Sequence, residues 1–327
     1  MFGFQMVGPD ICGFGGNTNA ELCARWFQLG SLYTFARNHN DHDSISQEAY
    51  ALGDTVIQSA RNNLKLRYSL LKHFYYLFLN KRGLGTIWRP LFFQFPLDSN
   101  NYLDDIADTQ FMIGSDILVT PIVEAGQTSR KIYLPDSNWY YFHSGVKFSP
   151  GTHLLEGVGL TDKVPMFLRE GFAIVRQDTT SVVNTKQLDN SFFILSGMKY
   201  DTRRSNATIK IYESAGAMLS IRDYNDNSLV DLCLSERCEY VFTMLANITS
   251  TTRTLEVNFN YFGGLRLNEA VKITAFHLTL DTEIIVINLD TPIEVTGPKR
   301  VSIPIPKAAK SGSNLLTEEE KYVTDII

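Results

Sequence analysis

The chain has 327 residues, 44% of them hydrophobic and 20% charged, a balance that excludes an intrinsically disordered protein. No apolar run reaches the roughly 18 residues of a spanning helix, so no membrane span is expected. A net charge of −5 excludes the broad basic face that nucleic acid or an anionic membrane would require, so neither is expected as a partner.

A prior of ~100–200 residues per domain predicts two or three domains. The chain opens on FGFQMVGPDICGFGGNTNAELCARW, without the basic region and cleavable apolar stretch of a signal peptide. Asp10 lies there between a strand-like run and a glycine-rich turn. Taken alone, an acid in such a place reads as a turn cap. Thr18 to Glu21 has the spacing of a capping box and opens a helix carrying Leu22, Trp26 and Leu29. A short apolar run, Leu32 to Phe35, then reads as a strand ending in Arg37-Asn38-His39-Asn40. From about Asp54 to Arg82 apolar residues recur at Leu64, Tyr68, Leu71, Tyr75 and Phe78, predicting a long helix that buries this face and stops at Gly83. Trp26, Tyr68 and Tyr75 are expected in the core.

Beyond residue 85 the pattern changes to short segments rich in β-branched and aromatic residues, punctuated by Pro, Gly, Asn and Asp. Strands are expected at 86–95, 116–123, 131–134 and 139–142. Further strands are expected at 191–195, 207–212, 218–222, 240–246, 254–259, 271–278 and 282–288, several alternating apolar and polar residues as sandwich strands do. The organisation read from this is an α/β segment over 1–85, β-sandwich domains over 86–170 and 171–307, and a polar tail over 308–327. Two strands cannot make a stable parallel sheet, so further chain is expected before Met1. The cysteines form two local pairs, Cys12 with Cys23 and Cys233 with Cys238. This spacing suits disulfides in an oxidising compartment, and four unrelated thiols remain open.

Three motifs carry a resemblance. Gly8-Pro9-Asp10-Ile11-Cys12-Gly13-Phe14, Glu21-Leu22-Cys23-Ala24-Arg25-Trp26 and Arg37-Asn38-His39-Asn40 resemble the C-terminal part of the catalytic barrel of family 31 glycoside hydrolases, in the maltase, sucrase-isomaltase and lysosomal α-glucosidase branch. Arg89 to Pro96 and Gly114 to Pro121 resemble the post-barrel segment of that family, and the likeness is specific to about residue 175. The resemblance implies a fold of α/β plus all-β type: strands seven and eight of a (β/α)8 TIM barrel followed by two β-sandwich domains. Asp10 and Phe14 would then lie on the loop after strand seven, with Arg37 and His39 at the end of strand eight, where barrel chemistry gathers.

Retaining members of such a family use two carboxylates about 5–5.5 Å apart. In this family they lie in Trp-x-Asp-x-Asn-Glu and Gly-Asp-Asn motifs, and neither motif occurs in this sequence. No catalytic residue is therefore assigned within the chain, and the missing N-terminal part of the same polypeptide is the implied partner.

What the resemblance leaves here is a substrate-binding wall for an α-glucoside oligosaccharide. Asp10 and His39 would recognise the sugar, Phe14 would supply an apolar surface, and Arg37 would hold local carboxylates through its fork of donors. The resemblance also implies a Cys12–Cys23 disulfide and a secretory, lysosomal or extracellular setting. In such a setting the sequons at Asn206 and Asn247 are candidate glycosylation sites, and Cys233–Cys238 is a candidate hairpin staple.

No cofactor or metal is expected. The ligand types at His39 to Asp43 lack convergent spacing, and Asp223 to Asn227 lacks the glycine and the bidentate glutamate of a calcium loop. The competing reading is a stand-alone carbohydrate-binding module with Trp139, Tyr140 and Tyr141 as an exposed platform.

Overall fold

The computed structural model describes residues 3–80, 85–189, 191–198, 206–212, 239–248, 253–262, 271–280, 283–295 and 299–306. Cys233, Cys238, the strand expected at 218–222, the turn at 223–227 and the tail beyond 307 lie outside the described residues.

Helix α1 spans Ala20–Gly30 and helix α2 spans Asp54–Asn80. The cap of α1 is Asn19, not Thr18: its side chain accepts from the Leu22 N–H at 2.9 Å. This frees Glu21 from the capping box, and its Oε1 accepts the Gly126 N–H at 2.6 Å.

The segment 32–40 departs from the expected strand. Among the described residues its pairing with the opening loop is one parallel bridge, Ile11 to Asn38, with the Ile11 N–H donating to Arg37 O at 2.8 Å. Parallel ladders draw stability from flanking strands and covered faces, and this pair has no further described strand beside it. Where the two segments meet, Gly8 is required by space, since a Cβ there would stand 2.0 Å from Phe35 O.

Helix α2 forms as expected but buries a different face. Leu64 is 36% exposed, whereas Val56, Ser59, Ala60, Asn63, Leu66, Ser69, Leu70, Lys72, His73 and Phe74 are buried. Half of these are polar, which is why apolar periodicity pointed elsewhere. Their partners explain the rotation. The Ser59 hydroxyl donates to Ala24 O at 2.7 Å, the Asn63 amide donates to Asp162 O at 3.0 Å, and Asn63 Oδ1 accepts from the Val164 N–H at 2.8 Å. His73 Nε2 lies 3.3 Å from Asp116 Oδ2 in a buried pair.

The strands are β1 Trp88–Pro90, β2 Phe111–Ile113, β3 Ile117–Val119, β4 Arg130–Leu134, β5 Trp139–Tyr141, β6 Lys147–Phe148, β7 Gly151–Leu155 and β8 Met166–Arg169. They continue as β9 Ala173–Arg176, β10 Ser191–Gly197, β11 Asn206–Tyr212, β12 Glu239–Ile248, β13 Arg253–Phe262, β14 Val271–Leu280, β15 Glu283–Val295 and β16 Lys299–Pro304. The strand expected over 86–95 is cut short at Pro90, where Leu91–Gln94 turns into a helical turn. A proline N-cap suits this change, because it cannot donate to a ladder.

One sheet has the order β1-β2-β3-β8-β5-β6, with β4-β7 as a separate pair. Both faces of the larger sheet are covered. Phe111, Ile113, Ile117, Met166 and Leu168 pack against Leu66, Leu70 and Phe74 of α2. Met112, Leu118, Trp139 and Phe167 pack on the other side with Leu91, Ile132 and Leu155. Two further sheets, β15-β14-β10-β9 and β11-β12-β13-β16, share one core. Its residues alternate along the strands, as Met244 and Ala246 on β12 and Leu255, Val257 and Phe259 on β13 show. Each fully buried side chain of this size contributes about 1.5–3 kcal/mol, so the alternation sets which face turns inward.

Candidate functional site

The four residues expected to line a sugar site come together on two loops above the Ile11–Asn38 bridge. The first loop turns sharply: the Gly13 N–H donates to Asp10 O at 3.0 Å, with φ of 74° at Cys12 and 92° at Gly13. Left-handed backbone favours glycine, and the non-glycine Cys12 is held there by its disulfide to Cys23 on α1. Closing so short a loop contributes about 2–3 kcal/mol in the chain-entropy model. It also leaves Asp10 as the first residue of a fixed turn.

Asp10 meets Arg37 from the second loop. Arg37 Nε lies 2.8 Å and Nη2 2.7 Å from the same oxygen, Asp10 Oδ1. The fork thus closes on one oxygen and does not span the carboxylate, and among the described residues Oδ2 takes no hydrogen bond. The Asp10 side chain is 14% exposed and that of Arg37 50%, so the acid is recessed behind its cation. Arg37 also lies over the Phe35 ring at 5.4 Å.

Phe14 and His39 face each other across the loops with ring centroids 5.6 Å apart, and Phe14 is half exposed. The Asp41 N–H donates to Phe14 O at 2.9 Å, tying the ends of the two loops. The result is a shallow wall with one guanidinium, one imidazole and one apolar ring open to solvent and one carboxylate recessed among them. A carboxylate with a free oxygen and an imidazole suit hydroxyl groups as acceptor and donor, and an exposed ring suits the apolar face of a pyranose.

The expected metal-free reading of His39 to Asp43 meets a local pair, His42 Nδ1 at 3.0 Å from Asp43 Oδ1, with both side chains more than nine-tenths exposed. Trp139, Tyr140 and Tyr141 do not form a platform: they are 0%, 1% and 6% exposed. Their rings pack in the core because β5 lies between β8 and β6 in a sheet covered on both faces. Trp26 is partly buried and donates through Nε1 to the Tyr33 hydroxyl at 3.2 Å.

Two groups of residues escape sequence reasoning. Gln47, 3% exposed, lies beneath both loops, and a lone glutamine in a loop carries no signature. Arg25 and Gln28 on α1 are also buried and reach across to residues 127 and 158–162. A buried arginine in the second motif was the available signal, and its partners lie more than 100 residues away.

Comparison with known proteins identifies the class. Residues 1–77 match the Glycosyl hydrolases family 31 TIM-barrel domain, and residues 85–174 match the Glycosyl hydrolase family 31 C-terminal domain. Together the two matches span just over half of the chain, which belongs to glycosyl hydrolase family 31.

The lysosomal acid α-glucosidase of Tetrahymena pyriformis is 35% identical over 257 residues, 73% of this chain and 27% of that protein. The lysosomal α-glucosidase of Rattus norvegicus is 45% identical over 141 residues, 43% of this chain and 14% of that protein. A family 31 dextranase of Flavobacterium johnsoniae, complexed with glucose, has the same fold at a TM-score of 0.65 and 18% identity, covering 82% of this chain and 31% of the dextranase. The chain spans about a quarter or less of the length of these curated relatives.

Proposed function

We propose that the chain supplies part of the sugar-binding wall of a retaining α-glucosidase, with the catalytic carboxylates contributed by polypeptide preceding it. The observation that carries this reading is the recessed Asp10 carboxylate, fixed by Arg37 and flanked by Phe14 and His39 on loops above one parallel bridge. In this reading the two loops follow strands seven and eight of a (β/α)8 barrel. Residues 86–170 and 171–307 are proximal and distal β-sandwich domains. The substrate is an oligosaccharide with terminal α-linked glucose. Asp10 and His39 contact its hydroxyls, Phe14 covers an apolar face of the ring, and Arg37 keeps Asp10 oriented.

The purified chain is expected to leave a chromogenic α-glucoside unhydrolysed, because it lacks the nucleophile and the acid. It is expected to bind glucose weakly, and Asp10→Ala and His39→Ala each to abolish that binding. Hydrolysis above background would overturn the division of labour. Glucose binding unchanged in both variants would overturn the site.

The relatives named as lysosomal support a secretory or lysosomal setting. Asn206 pairs in register with Leu245, two residues from Asn247 on the same strand, so both sequons fall at one end of the β11–β12 ladder. Peptide mapping of protein from its native source, non-reduced and with glycosidase treatment, is expected to return a Cys12–Cys23 crosslink and glycans at these asparagines. Free thiols at both cysteines would remove the compartment assignment.

A further inference from the structure

We propose that Gln47 is the positioning residue of this wall, a single buried amide that sets the spacing between the loop of Asp10 and Phe14 and the loop of Arg37 and His39. The inference rests on the sugar-wall reading for its purpose and on the following geometry for its existence. Gln47 Nε2 lies 3.1 Å from Ile11 O, 3.1 Å from Gly13 O, 2.9 Å from Asn38 Oδ1 and 3.1 Å from His39 O. Two acceptors come from each loop. Each belongs to, or adjoins, a residue of the wall: Ile11 follows Asp10, Gly13 precedes Phe14, Asn38 follows Arg37, and His39 is itself a member.

The orientation of the amide is set by these surroundings. Four oxygens converge on one atom, so that atom must be the nitrogen. Turning the amide over would set Oε1 against all four acceptors. Two N–H bonds serve four acceptors, and Oε1 itself is buried without a partner among the described residues. The backbone of Gln47 is held as well: its carbonyl accepts from Asn38 Nδ2 at 2.8 Å. A side chain fixed at both ends that bridges two loops acts as a spacer, and a movement of the amide is felt by all four wall residues. Gln47 does not touch the sugar position and acts only through its neighbours.

The test uses Gln47→Glu, which preserves shape while replacing the donors by an acceptor, with Gln47→Ala as the second variant. At neutral pH the introduced carboxylate faces four oxygens without a proton to offer. Protonation restores one donor, and burial among acceptors raises the pKa of the introduced carboxyl above the ordinary ~4.3 of glutamate. Amide hydrogen exchange is measured on the full chain relative to wild type at the same pH. At pH 7.5, exchange at Ile11, Gly13 and Asp41 is expected to quicken by about tenfold or more in Gln47→Glu, with the amides of the β2–β3 and β3–β8 ladders unchanged. At pH 4 most of that difference is expected to disappear for Gln47→Glu and to persist for Gln47→Ala.

Loop exchange equal to wild type at pH 7.5 in both variants would overturn the clamp, as would a loss in Gln47→Glu that ignores pH. A glucose titration completes the test. Loosened loops with wild-type glucose affinity would overturn positioning, whereas affinity lost at pH 7.5 and regained at pH 4 in Gln47→Glu supports it. Wild-type protein that binds no glucose would overturn the sugar-wall reading and the purpose of the clamp, while the exchange data would still decide the clamp itself.

Discussion

Arg25→Ala is expected to cost about 2–5 kcal/mol of stability, because it strips a charged donor from several backbone carbonyls at once. Arg25 is 8% exposed on α1. Its Nη2 donates to Gln127 O at 2.8 Å and Val158 O at 2.9 Å, and its Nη1 to Gly159 O at 3.2 Å and Gln28 Oε1 at 3.1 Å. Burial lowers the pKa of the guanidinium while Glu21 and Asp162 raise it, and it stays charged throughout the working range. Truncation leaves backbone carbonyls without their donor, and each buried orphan costs about 1–3 kcal/mol.

The network has further members. Gln28 Nε2 donates to Gly159 O at 2.9 Å and Asp162 O at 3.0 Å, and Asn62 Nδ2 to Thr161 O at 2.7 Å. The segment 158–164 is therefore latched to both helices by side-chain amides and one guanidinium. Arg25 and Gln28 share the Gly159 carbonyl, so a double-mutant cycle is expected to return a coupling of about 0.5–3 kcal/mol. Denaturant melts of the single and double variants measure it. A loss under about 1 kcal/mol for Arg25→Ala would remove the latch as the tie between the barrel segment and the β unit.

Lys72→Met is expected to act in the opposite direction, raising stability by about 1–3 kcal/mol below pH 7, the gain seen when an uncompensated buried charge gives way to an apolar side chain. Lys72 is 6% exposed, and its Nζ has no hydrogen-bond partner among the described residues. The Phe192 ring lies 5.3 Å away and returns part of the cost. Burial lowers the pKa to about 7, with Asp189 opposing the shift.

The sign follows from linkage. Between about pH 7 and the ordinary 10.5 the unfolded chain binds the proton that the folded chain releases, so stability rises with pH across that window. Below pH 7 both states are protonated and the full cost of burying the charge remains. The variant is expected to lose the rise between pH 7 and 10.5 and to melt several degrees higher at pH 6.

His143 and His277, lowered by burial to about 3 and about 4, impose a separate slope between those values and 6.5. That slope is expected to survive in Lys72→Met. Thermal melts from pH 4 to 10 separate the two windows. An unchanged profile above pH 7 would show that Lys72 is already paired in solution.

The lysine and the arginine illustrate what local pattern could not convey. Helix α2 was legible as a helix, but its apolar repeat at Leu64, Tyr68 and Leu71 marked the less buried side. The buried side carries Ser59, Asn63, Ser69, Lys72 and His73 because the β unit presents carbonyls, an N–H and Asp116 to it. A polar residue satisfied by backbone far along the chain looks, in sequence, like a solvent-facing one.

By itself the sequence determined the family and the alternation that turns Met244, Ala246, Leu255 and Val257 inward, and it singled out Asp10, Phe14, Arg37 and His39, which the fold brings together. These depend on short motifs and on side-chain parity, both local properties of the chain. Only the tertiary structure decided that Arg37 grips one oxygen of Asp10, that β8 enters between β3 and β5, and that β10 pairs in parallel with β14. It also placed Gln47 beneath two loops and Arg25 against residues 127–159. These features are hydrogen bonds and pairings across 8 to 134 residues of chain, and their energy depends on where distant backbone comes to lie.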